Sequence, residues 1–141
     1  MKVSPRNLWP EDIAVTDYVP PVAILKEQGA LLGHLTKNLV KGDVRGPSSE
    51  HPTNLFHYTF ELVAPTLYGY RYELFGISHG ADFYPLKIDW DSPDNPIQWA
   101  LAVDAGIENE EQCLKALEGI FSSTRTRRVI GSLIAQSRAV A

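Results

Sequence analysis

Between residues 54 and 90 apolar and polar side chains alternate with period two, in three runs separated by short turn-rich segments. Such a chain is restricted to a sheet with one buried face, and the short connections predict antiparallel neighbours. In 54–63, Phe56, Tyr58, Phe60 and Leu62 alternate with His57, Thr59 and Glu61. In 68–78, Tyr70, Tyr72 and Leu74 alternate with Arg71 and Glu73, but the parity then fails, because Phe75 and Ile77 fall on the polar side. A bulge that switches faces accounts for this, and Gly76 is the residue expected to mark it. In 82–90, Tyr84, Leu86, Ile88 and Trp90 keep the alternation, while Pro85 places this strand at an edge or a bulge. Ser78–His79–Gly80 reads as the tight turn before it, and 97–103 can supply a fourth strand.

Residues 21–41 predict a long amphipathic helix. Pro21 suits the first helical position, and Ile24, Leu25, Leu31, Leu32, Leu35 and Leu39 share about a third of the helical wheel. Gly29 and Gly33 each cost the helix about 1 kcal/mol relative to alanine, a cost that close approach of another backbone would explain. Residues 42–53 read as a loop from their glycines, prolines and serines. Two helices close the chain. Asn109 and Gln112 have capping-box spacing, and Ser122–Ser123–Thr124 can cap the second helix. The expected fold is therefore α+β: a three- to four-stranded antiparallel sheet (about 54–63, 68–78, 82–90 and 97–103), a helix over 21–41, and two C-terminal helices packed on one face. Residues 1–141 are expected to form one domain, with 1–19 an irregular arm pinned to the body by Trp9.

Composition narrows the function classes. At 44 % hydrophobic and 21 % charged residues the chain is of ordinary globular type. No apolar run approaches membrane-spanning length, and the first residues lack a signal-peptide core. The single cysteine, Cys113, fits a reducing compartment, so a cytoplasmic protein is expected. The net charge of -4 hides a split: residues 82–118 hold nine acids against two lysines, whereas 119–141 hold four arginines and no acid. One reading is a solvated surface in which the arginines pair with those acids. The other is a surface that steers a charged partner.

Two candidate sites follow. Asp91, Asp94, Glu110 and Glu111 are the expected partner-binding residues of an acidic surface. Ser123, Arg125, Arg127 and Arg128 are the expected anion-binding set, because arginines in the first turn of a helix oppose its dipole unless an anion reverses the penalty. A third face, the outward side of the sheet, carries His57, Thr59, Glu61, Arg71, Glu73, Lys87 and Asp89, with His57 a possible general base oriented by Glu61 or Glu73. The histidine spacing fits no common zinc pattern, Cys113 lies on the apolar face of its helix, and no glycine-rich nucleotide loop occurs, so neither a metal nor a cofactor is expected.

The helix-then-meander order resembles that of small binding modules, double-stranded-RNA-binding domains among them, in topology alone, and such a likeness carries no function. The expected role is non-catalytic binding of another macromolecule, first of all a basic protein, in the manner of an immunity, antitoxin or adaptor protein. The alternatives are phosphate, nucleotide or RNA binding through 125–128, and a small hydrolase- or nuclease-like enzyme on the sheet face. No membrane partner is expected. A homodimer is compatible with the edge strand and the aromatic surplus.

Overall fold

The computed structural model describes residues 6–48, 54–90 and 106–141. The order is α1 (Pro21–Leu35), β1 (Lys41–Ser48), β2 (Phe56–Ala64), a 3-10 turn (Pro65–Leu67), β3 (Tyr70–His79), β4 (Leu86–Asp89), α2 (Glu110–Phe121) and α3 (Thr124–Val140). The four strands form one antiparallel sheet in the order β1-β2-β3-β4. The α+β class is as expected, with three corrections to its parts.

First, the N-terminal helix stops at Leu35 instead of running to residue 41. Lys37 and Asn38 adopt left-handed backbone (φ 54° and 66°), and their N–H groups donate to the carbonyls of His34 (3.4 Å) and Gly33 (2.7 Å). That is a Schellman closure achieved without the usual glycine. Thr36 Oγ1 supports it, accepting from the Val40 N–H at 3.1 Å.

Second, residues 42–48, expected as part of a loop, form with Lys41 the strand β1 along the edge of β2. Glycine and proline weaken a central strand but are tolerated at an edge, and the Gly46–Pro47 pair falls where the register shifts between Arg45 and Ser48. The close approach expected at Gly29 is to this strand: a Cβ on Gly29 would collide with the Gly42 carbonyl oxygen, and one on Gly42 would lie 2.6 Å from the Gly29 Cα. Two facing glycines let α1 lie directly on β1.

Third, β3 extends through His79, where a turn was expected, and β4 covers only 86–89. The proposed strand at 97–103 lies outside the described residues.

The face switch in β3 is present but sits two residues before Gly76. Phe60 pairs with Phe75 and Glu61 with Glu73, which leaves Leu74 as the extra residue. Because cross-strand partners share a face, Phe75 and Ile77 lie on the side of Phe60 and Tyr58, and Tyr72 and Tyr70 on the side of Leu62 and Ala64. One continuous apolar face results. On it Phe60 stacks on Phe75 (centroids 5.3 Å apart), and the α2 residue Phe121 meets both rings at 5.5 and 6.0 Å. Leu25, Leu86, Ile120 and Leu133 join the same buried cluster. Each fully buried side chain of this kind contributes about 1.5–3 kcal/mol.

Candidate functional site

The reverse face of the sheet is ionic. Register places Asp43, Glu61 and Glu73 side by side across three strands, an arrangement that like-charge repulsion disfavours. Arg71 offsets it, reaching Asp43 at 2.8 Å and Glu61 at 3.1 Å, and Arg45 approaches Glu61 at 3.4 Å. Glu61 is only 6 % exposed. The Arg71 guanidinium holds the Asp43 carboxyl below its ordinary value. Glu61 is thus committed to arginines. His57 lines a separate open concavity with Thr59, Glu73, Ser78, Lys87 and Asp89, and no carboxylate among the described residues forms an ion pair with it. Of the two carboxylates expected to orient a catalytic His57, Glu61 is held by the arginines, and Glu73 lines the same concavity as His57 without an ion pair to it.

A second concavity, of about 430 Å³, lies where three distant segments meet. The N-terminal arm contributes Asp17 and Tyr18, the β3–β4 connection Asp82, Phe83 and Tyr84, and the start of α2 Glu110. Local chemistry positions each group. The Tyr18 N–H donates to Thr16 Oγ1 (3.1 Å), which folds the arm so that the Tyr18 ring stands edge-on to Phe83 (6.5 Å, 89°). Phe83 in turn meets His79 edge-on at 6.0 Å. His79 is buried at the end of β3, stacked on Tyr58, with Nδ1 2.8 Å from the Gly80 carbonyl oxygen, a contact that requires the Nδ1–H tautomer.

Glu110 is placed by a capping box. Asn109 Oδ1 accepts from the Gln112 N–H (2.9 Å), and Gln112 Oε1 accepts from the Glu108 N–H (2.8 Å). The helix dipole favours an acid in that first turn. Tyr84 lines the groove beside it, and Cys113 is buried next to Tyr84. Burial, with the negative charge of Glu110 adding to it, pushes the Tyr84 hydroxyl up to about 12 and the Cys113 thiol up to about 11. Cys113, 2 % exposed, therefore stays a protonated thiol near neutral pH, which suits a small hydrophobe rather than a nucleophile.

Of the expected acidic residues, Glu110 lines this groove. Glu111 is exposed and only 3.8 Å from Lys115, a weak surface pair. Asp91 and Asp94 lie outside the described residues. Asp17, Tyr18, Phe83 and Tyr84 were not expected here. The arm's Pro-rich composition hides the first two, and the alternation of 82–90 makes the others read as strand. Trp9 does not pin the arm: it is 71 % exposed, so its indole is not buried on the body.

The arginine set is dispersed along α3. Ser123 caps that helix by accepting from the Thr126 N–H at 3.2 Å. Arg125 Nε donates to the Tyr72 hydroxyl (3.0 Å). Arg127 faces a groove shared with Gln28, Glu118 and Phe121, whereas Arg128 faces one beside Tyr70 and Tyr72. Among the described residues Arg127 and Arg128 form no ion pair, and Asp91, Asp94 and Asp104 of the acidic stretch lie outside those residues.

No three His, Cys, Asp or Glu residues among those described are grouped to hold a metal ion, and no helix among them is long and apolar enough to cross a membrane. No family model, no curated protein and no solved structure matches the chain.

Proposed function

We propose that this chain is a non-catalytic binding module that receives a basic segment of a partner protein in the acidic–aromatic groove, a role of the immunity, antitoxin or adaptor kind in the cytoplasm. One observation carries the reading: carboxylates from three separate segments, Asp17, Asp82 and Glu110, line one groove with the rings of Tyr18, Phe83 and Tyr84, and among the described residues no cation lines it. A lysine or arginine side chain matches that chemistry. Its aliphatic stem and cationic head gain from aromatic faces, and the carboxylates take the charge. Like-signed acids around the mouth also accelerate encounter with a basic partner.

The test is binding of a fluorescein-labelled, arginine-rich 12-residue peptide, followed by anisotropy at low salt. The expected result is saturable binding that weakens at least tenfold in the double variant Asp82→Asn/Glu110→Gln, with no binding of a glutamate-rich peptide of equal length. Equal affinity in the double variant, or no binding of the basic peptide, overturns the reading.

A further inference from the structure

We propose a second, independent site: the groove between the start of β3 and α3 binds a single-stranded nucleic acid, with bases stacked on Tyr68 and Tyr70 and a phosphate on Arg128. This concavity, of about 560 Å³, is lined by Tyr70, Tyr72, Arg128, Ser132 and Gln136 among others, and among the described residues no carboxylate lines it. The bulge at Leu74 is what brings it into being, since it places Tyr70 and Tyr72 on the sheet face that α3 approaches. Tyr72 is held by Arg125 through its hydroxyl. Tyr70 is 49 % exposed, so a ring face is open to a ligand.

Tyr68 strengthens the case. It is fully exposed, and it occupies the left-handed region (φ 59°) that a bulky side chain ordinarily avoids. Gly69 follows with φ 70°, so two successive left-handed residues turn the chain out of the 3-10 turn and hold a tyrosine in solvent beside the groove. A strained, exposed aromatic points to a task outside the fold itself. On the opposite wall the one charged side chain that α3 contributes is Arg128, and the stretch 119–141 contains no acid to oppose it. Flat rings beside an arginine, with serine and glutamine at hand, fit a base with its phosphate. A duplex keeps its bases stacked within and cannot offer them to tyrosines.

The experiment uses the whole chain and a labelled 12-nucleotide single-stranded RNA of mixed sequence, read by anisotropy between 50 and 200 mM NaCl, with the matching duplex and a free nucleoside monophosphate as competitors. Expected are salt-sensitive binding of the single strand, about tenfold weaker binding for Tyr70→Ala, and a salt slope for Arg128→Ala reduced by about one phosphate contact. Tyr68→Gly separates function from structure. It relieves the left-handed backbone, so its melting temperature stays level or rises while its affinity falls. Asp82→Asn/Glu110→Gln retains RNA binding, which keeps this site apart from the acidic groove. The proposal is overturned by absence of binding at 50 mM salt, by unchanged affinity in Tyr70→Ala and Arg128→Ala, by duplex binding equal to single-strand binding, or by mononucleotide competing as well as the oligonucleotide.

Discussion

The two grooves are built on one plan with opposite charge. Each has tyrosine rings and a rim of one sign: Asp17, Asp82 and Glu110 around the first, Arg128 beside the second. They differ in how the chain assembles them. The basic groove draws on one strand start and one face of a single helix. The acidic groove draws on three segments separated by more than ninety residues in all. A surface made from one helix is present as soon as the helix docks. A surface made from three depends on the arm keeping its place, where Tyr18, itself 78 % exposed, meets Phe83 edge-on. The acidic groove is thus the more easily lost of the two.

The largest effect is expected from Leu74→Asp, at the bulge on which the face of Tyr70 and Tyr72 depends. Leu74 is 6 % exposed within the buried cluster, so the change would take a carboxylate from water into the apolar core. A loss of more than about 3 kcal/mol, or of the cooperative transition, is expected in urea denaturation. A native-like midpoint would mean that the side chain at the bulge is not held in the core.

Alkaline pH probes the buried thiol next to Tyr84 of the acidic groove. The Cys113 thiol ionises near 9.0 when unfolded but is raised to about 11 in the fold. Its contribution is therefore complete below pH 9 and is lost as pH climbs through the folded value, because the unfolded chain releases a proton that the folded one keeps. The drop is on the order of 2 kcal/mol, and Cys113→Ala should lessen it most between pH 9 and 10 in melting curves, since Tyr84, raised in the same direction, keeps part of the slope above pH 10.

Gly29→Ala is the control that loosens the body without touching either groove. The added methyl would press on the Gly42 carbonyl, for a cost of about 1–2 kcal/mol even after the gain in helix propensity. Thermal melting should fall while peptide and RNA affinities below the transition stay constant. A stabilised variant would show that α1 can shift off β1.

Smallest is Arg71→Met, on the reverse face. Arg45 remains beside Glu61 and the Arg71 guanidinium is solvent-screened, so only a slight loss of stability is expected at pH 7. The folded Asp43 carboxyl lies below its ordinary 3.8, so its stabilisation is present above that value and disappears as pH falls through the lower folded one. The gap between variant and parent should therefore narrow in acid. A gap that is constant from pH 7 to 3 would show that the Asp43 pair contributes nothing.

What the residues determined alone was whatever depends on neighbours a few positions away. The period-two runs set β2 and β3, the parity failure at Phe75 announced a change of face, Pro21 opened α1, and Asn109 with Gln112, like Ser123, marked helix starts, since capping hydrogen bonds span only three residues. Tertiary structure decided the rest. β1 exists because β2 offers an unpaired edge to a Gly- and Pro-containing segment that has little strand preference of its own. The end of α1 rests on a left-handed Lys37–Asn38 pair, and the two residues fall on the stretch where Leu39 and Val40 continue the apolar pattern. The grooves follow the same division: a list of charges shows how many acids or arginines a stretch holds, but Asp17 meets Glu110, and Tyr70 meets Arg128, only once the sheet and its helices have chosen their faces.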